Sequence, residues 1–268
     1  MADISERAFQ MRPTKRELRT FNGLRKVVAA LRAPGGCPWD RVQTHESLRP
    51  FLLEEASETL EALDGGDPAE LCEELGDLLL EVLLHVQIAE ESGEFALADV
   101  VYGVSDKLVR RHPHVFADAT AETPEAVVEQ WEELKREERG ERSALSGIPA
   151  TLPALARAQA MQRRASRAGF AWENAGQAWE ALEEELRELR EAATPEEQRD
   201  EMGDALFALA GLARWLEVDA EDALRATSRG FQTRFQRLED TVREKELDLA
   251  QMTTAEKLAL WDQAKGAA

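Results

Sequence analysis

Only two cysteines, Cys37 and Cys72, occur in the 268-residue chain. Two lone thiols make no disulfide framework, and they suit a reducing cytosol. No apolar run is long enough for a membrane span. The longest, LLLEVLLHVQIA, is cut by Glu81 and His85 and falls short of the ~20 residues a spanning helix needs. The opening MADISERAFQMRP places acids where a secretory signal needs an apolar core. Aromatic residues are scarce at 6%, with one tyrosine, and glycine and proline are sparse, a balance that favours helices over turn-rich β architecture. Positive charge is also short. Against 53 acids stand 33 Lys and Arg, for a net charge of -20, which excludes a phosphate-tracking nucleic-acid binder. A small anionic substrate stays open, provided a cation or a local Arg/Lys cluster intervenes. These absences describe a soluble, cytoplasmic, all-α protein with neither membrane nor nucleic acid as partner.

What the chain does have is repetition. GGCPWD, with Trp39 and Asp40, precedes the acidic stretch FLLEEASETLEAL; AGFAWEN, with Trp172 and Glu173, precedes WEALEEELRELREA. Each stretch ends in a turn that starts another helix. Asp67, Pro68 and Glu70 fill the N-cap, first-position and capping-box roles in one half, and Thr194, Pro195 and Glu197 fill them in the other. Asp67 lies seven residues before Glu74 and ten before Asp77; Thr194 lies seven before Glu201 and ten before Asp204. TPEAVVEQWEELK, with Trp131 and Lys135, returns as TTAEKLALWDQAK, with Trp261 and Lys265. An offset of 130 relates Glu55 to Glu185, Glu58 to Glu188 and Trp131 to Trp261. Between the halves, RGERSALSGIPATLPA at 139–154 gathers Gly, Ser and Pro as a linker would. The expected organisation is two helical-bundle domains, 1–140 and 153–268, joined by a linker at 141–152.

The acids sit among leucines. Residues three apart share a helix face, so Glu55 projects with Glu58, and Glu74 with Asp77. The short DGGDP turn makes the two helices antiparallel neighbours, and the two pairs converge. The second half repeats this with Glu185, Glu188, Glu201 and Asp204. Acids at helical spacing are most often a solvated face. Asp77 and Asp204, however, fall in LGDLLLEVLLHV and MGDALFALAGLA, where their neighbours should face the core and an unpaired charge is costly. Four converging carboxylates need a cation, and oxygen ligands without a Cys/His pattern favour Mg²⁺ or Mn²⁺ over zinc.

The motif EEASE at 54–58 with ELGD at 74–77, repeated as EELRE at 184–188 with EMGD at 201–204, resembles the signature of the MazG-type all-α nucleoside triphosphate pyrophosphohydrolases. GCPWDRVQTHESLRPFLLEEASE and SDKLVRRHPHVF extend the resemblance over nearly the whole chain. It implies a tandem repeat of two MazG-type bundles that pair into homodimers. It also implies Mg²⁺-dependent cleavage of NTPs and dNTPs between the α and β phosphates, with broad base tolerance and a housekeeping role. The alternative is an Mg–NTP-binding sensor with little hydrolysis; a purely structural helical dimer is a third reading.

By the same resemblance Glu55, Glu58, Glu74 and Asp77 ligate metal in one half, and Glu185, Glu188, Glu201 and Asp204 in the other. Glu54 and Glu184, one position before each ligand pair, either orient or deprotonate the attacking water or stand as outer-shell or solvated acids. The phosphates would meet Lys107, Arg110 and Arg111 in the first half, and Arg229 and Arg234 in the second. There the family's Lys is replaced by Gly230, which sets the second half apart unless Arg229 substitutes. Trp261, with its repeat equivalent Trp131, is expected to stack on the base; Trp39 and Trp172 are expected to pack in the core. His112 and His114 flank Pro113 as turn residues.

Overall fold

The computed structural model describes residues 13–139 and 143–265. The acidic opening (residues 1–12), the start of the expected linker (140–142) and residues 266–268 lie outside the described residues. The chain folds as two compact units, Met1–Leu134 and Lys135–Ala268, and every regular element among the described residues is helical.

In the first unit α1 (Phe21–Arg32), the short α2 (Pro38–Arg41), α3 (Arg49–Gly65), α4 (Pro68–Ser92), α5 (Leu97–Arg111) and α6 (Pro113–Phe116) follow in order, and α7 (Pro124–Arg139) begins in it and ends past its Leu134 boundary. The turn between α3 and α4 is built by its residues. Gly66 takes the left-handed conformation (φ 73°) that a side chain would resist, and its N–H returns to Ala62 O. Asp67 then caps α4 by accepting from Ala69 N at 2.8 Å, with Pro68 at the first helical position. The reciprocal Glu70 bond of a capping box is not made among the described residues. So short a turn makes α3 and α4 antiparallel partners. The core beneath them holds Val28, Leu48, Leu83 and Leu84, with Phe51, Leu79 and Leu80 against it. Arg32 fixes the GCPWD loop on this frame, donating to Asp40 O (2.5 Å) and to Gln43 O (3.2 Å) just beyond it and pairing with Glu91 (2.9 Å) on α4.

The second unit contains α8 (Ala154–Arg167), α9 (Ala175–Glu191), α10 (Pro195–Trp215), α11 (Ala220–Glu244) and α12 (Thr254–Lys265). Asn174 caps α9 through Gln177 N. Thr194 caps α10 with both halves of the capping box present, Glu197 N donating to Thr194 Oγ1 and Thr194 N to Glu197 Oε2. α9 and α10 form the antiparallel pair equivalent to α3 and α4, with Ala178, Leu182 and Leu212 in their core. Gln159, 2% exposed, ties α8 to the start of α11, donating to Val218 O and accepting from Ala220 N. Part of the segment read as a linker is held to this unit: Arg164 donates to Ser146 O and Gly147 O. Because the Thr194 cap satisfies a first-turn N–H of the helix that carries Glu201 and Asp204, Thr194→Ala should cost about 1 kcal/mol of stability. Urea unfolding followed by circular dichroism measures this loss.

Candidate metal centres and an adjoining cavity

The α3–α4 turn brings Glu55, Glu58 and Glu74 together, with one carboxylate oxygen from each lying within 4.8 Å of the others. Asp77 stands outside that trio but acts on Glu55 and Glu74 through its charge. The α9–α10 turn does the same for Glu185, Glu201 and Asp204 within the same distance; here Glu188 is the fourth acid, acting on Glu185 and Glu201. Each repeat thus gathers three of its four expected acids most tightly and differs in which one stands back. Burial, then the charges of Asp77, Glu58 and Glu74, push the Glu55 carboxyl above the usual carboxylate range. Burial, then Asp204, Glu188 and Glu201, do the same to Glu185. Glu74 and Glu201 are raised by the same two causes. An all-carboxylate donor set under mutual repulsion is what a hard divalent cation requires.

Glu54 and Glu184 lie on the exposed side of their helices. Both act electrostatically on the neighbouring acid, Glu55 or Glu185, and Glu184 also pairs with Arg187 at 3.2 Å. Lys107, Arg110 and Arg111 occupy the C-terminal half of α5, with Arg110 bound to Asp106 on its own helix at 2.9 Å. Arg229 and Arg234 stand on α11. Trp131 is half-buried on α7, and Trp261 is half-buried against Phe231, ring centres 5.0 Å apart. His112 closes α5 with Nδ1 2.7 Å from Leu108 O, whereas His114, expected in a turn, lies in the short helix α6 with Nδ1 3.1 Å from Gln130.

The core expectation fails for Trp39 and Trp172. Both lie on short loop-bound segments at the edge of their bundles and are half-exposed, Trp39 edge-on to Phe51 at 5.6 Å. Trp172 instead borders a cavity of about 510 Å³. Glu185 and Asp204 line one side of it, so it adjoins the second carboxylate cluster. Phe170, Phe207, Ala178, Ala208, Gly211 and Arg214 complete most of the wall, and none of Arg229, Arg234 and Trp261 is part of it.

Sequence reading missed this cavity, although the repeat register carries a signal for it. Ala178, Ala181, Ala208 and Gly211 stand at the register positions of Leu48, Phe51, Glu81 and Leu84, and in the first unit Leu48 and Leu84 are core residues. The two residues that interrupt the first half's long apolar run are drawn inward there. Glu81 is 6% exposed, and its Oε2 has no hydrogen-bond partner; burial and then Glu55 raise its pKa. His85 stacks on His45, their Nδ1 atoms 2.7 Å apart, and burial and then His45 lower its pKa.

Residues 43–116 match the MazG nucleotide pyrophosphohydrolase domain. The chain is 43% identical to the nucleoside triphosphate pyrophosphohydrolase/pyrophosphatase MazG of Thermotoga maritima over 248 residues, covering 92% of this chain and 96% of that protein. It is 41% identical to the nucleoside triphosphate pyrophosphohydrolase of Escherichia coli K12 over 248 residues, covering 89% of this chain and 94% of that protein. With paired acids converging in both repeats and this similarity running nearly end to end, the chain belongs to the MazG family of nucleotide pyrophosphohydrolases.

Proposed function

We propose that this enzyme hydrolyses nucleoside triphosphates between the α and β phosphates, releasing a monophosphate and pyrophosphate, with Mg²⁺ or Mn²⁺ held by the acids of each repeat. The observation that carries the reading is the recurrence of three convergent carboxylates in both repeats. Glu55, Glu58, Glu74 and Asp77 would hold the ion in one, and Glu185, Glu188, Glu201 and Asp204 in the other. When bound, the ion screens the triphosphate from the acids and makes water at the site more acidic. The remaining work falls to the chain. Glu54 and Glu184 are placed beside the ligand acids to orient the attacking water and take its proton. Lys107, Arg110 and Arg111, and in the second half Arg229 and Arg234, supply positive charge for the phosphates. Gly230 removes one such charge from the second half, and the half-buried Arg229 beside it is the nearest replacement in sequence. Aromatic stacking, which every base accepts, supports broad base tolerance.

Assembly as a homodimer belongs to the same reading. Leu53, Leu60 and Leu63 leave an exposed apolar stripe on α3, as do Leu75 and Val82 on α4, at spacings that place them on shared helix faces. No described helix is long and apolar enough to cross a membrane. A cytoplasmic location is consistent with the two reduced thiols.

Incubation with Mg²⁺ and each NTP, followed by product separation, should yield monophosphate and pyrophosphate; diphosphate with phosphate, or intact nucleotide, would reject the reaction. Glu58→Gln and Glu188→Gln should each weaken metal binding in their own half. Changes beyond the ligand shell already cost 10–100-fold, so the double variant should lose about a hundredfold or more of turnover, and undiminished turnover would refute the ligand assignment.

Stability should depend on pH with a defined sign. A carboxyl with a raised folded pKa destabilises the fold above that pKa and loses the penalty as pH falls through it. Glu55, Glu74, Glu185 and Glu201 are all raised. The Tm of the metal-free protein should therefore rise as pH is lowered from neutrality into the ordinary carboxylate range. Mg²⁺ should raise Tm more at the higher pH, where protons no longer compete, and Glu55→Gln with Glu185→Gln should flatten both trends. Equal metal-induced shifts at both pH values would contradict this.

A further inference from the structure

The cavity beside the second carboxylate cluster has a polar end that metal and phosphate chemistry leaves unused. Asp204, then Phe207 and Ala208, then Gly211 and Arg214 return at three- or four-residue steps, so one face of α10 forms a wall running from acid to guanidinium. Ten residues of helix separate the ends by about 15 Å. The Arg214 side chain makes no hydrogen bond or ion pair with any described residue, and its Nε is buried. Its guanidinium rests 5.0 Å from the Trp215 ring centre, which holds it in place without satisfying its donors. A buried donor without an acceptor costs free energy that a ligand can recover.

Gln162, which lines the same cavity, offers an acceptor. Gln162 Nε2 donates to Phe207 O at 2.7 Å, which fixes the amide so that Oε1 lies over Gly211. A Cβ at Gly211 would come within 2.5 Å of that oxygen, so the glycine leaves it room. Arg214 is one turn further along the same face. Phe170 (84% exposed) and Trp172 (53% exposed) offer aromatic faces in the same wall. The first repeat has Leu48, Phe51, Glu81 and Leu84 at the register positions of the four small residues that open this space.

We propose that the cavity is a nucleobase subsite in which Arg214 and Gln162 favour oxo bases (guanine, uracil and thymine) over amino bases. This rests on the triphosphate reading, which puts the phosphates at the carboxylate end. A ring carbonyl beside a ring N–H matches a wall that carries both a donor and an acceptor. Adenine and cytosine offer an amino donor and a bare ring nitrogen on that edge, reversing both. The aromatic and apolar walls admit every base, and the polar pair grades them.

The test compares kcat/KM for GTP, UTP, ATP and CTP with Mg²⁺ in the full-length protein and in Arg214→Met and Arg214→Lys. The native enzyme should favour GTP and UTP by about tenfold. Arg214→Met should erase that ratio chiefly by slowing GTP and UTP, and Arg214→Lys, which keeps a donor, should retain part of it. A uniform loss over all four bases, or an unchanged ratio, overturns the proposal; a merely structural role for Arg214 produces the uniform loss. Calorimetric binding of GMP, UMP, AMP and CMP separates this result from failure of the hydrolytic reading. Tighter GMP and UMP binding that Arg214→Met abolishes supports the subsite even if no NTP is cleaved. Equal binding of all four rejects it.

Discussion

Repulsion between carboxylates fixed on neighbouring helices is the constraint from which the rest of this structure follows. Glu55, Glu58 and Glu74 would separate if their backbones were free to move. They are not, because the Gly66–Asp67–Pro68 turn and the leucine core beneath α3 and α4 hold the helices together. The fold therefore carries a standing cost in each unit: burial first, and then the neighbouring charges, raise the pKa values of Glu55 and Glu185. On the proposed reading a divalent ion would remove that cost, and a metal-bridged polyphosphate would make use of it. Stability and function are linked through the same few side chains.

Both repeats keep that arrangement yet diverge around it. In the first unit the space below the acids is closed by Leu48 and Leu84 in a packed core, with Glu81 and the His45–His85 pair drawn inward. In the second unit alanine and glycine take the corresponding positions, and a cavity opens beside Glu185 and Asp204. Duplication has preserved the charged apparatus while volume changes at four positions have altered what lies next to it. Large-to-small changes of this kind ordinarily cost packing energy. A base bound as proposed would fill the space and offset that cost.

How much could be read from the sequence alone follows from the range of each signal. The caps are local, a matter of residue identity at fixed offsets, and Thr194 with Glu197 forms the full box expected of it. The acids are also legible, because helical period and a short turn suffice to bring Glu55, Glu58 and Glu74 together. Which acid stands furthest from the others depends on side-chain rotamers, and spacing does not encode them. Trp172 was misjudged because an aromatic in an apolar phrase reads as core, whereas its exposure is decided by the bundle edge on which AGFAWEN lies. The cavity is the least legible feature, since it needs small residues on α9 and α10 to meet side chains of α8. Arg214 by itself looks like an ordinary surface charge at the end of a helix.

Anomalous diffraction from crystals equilibrated with Mn²⁺ tests the central claim most directly. The account predicts peaks among Glu55, Glu58, Glu74 and Asp77, and again among Glu185, Glu188, Glu201 and Asp204. Ordered manganese bound elsewhere, with both carboxylate clusters empty and their side chains turned apart, would contradict it.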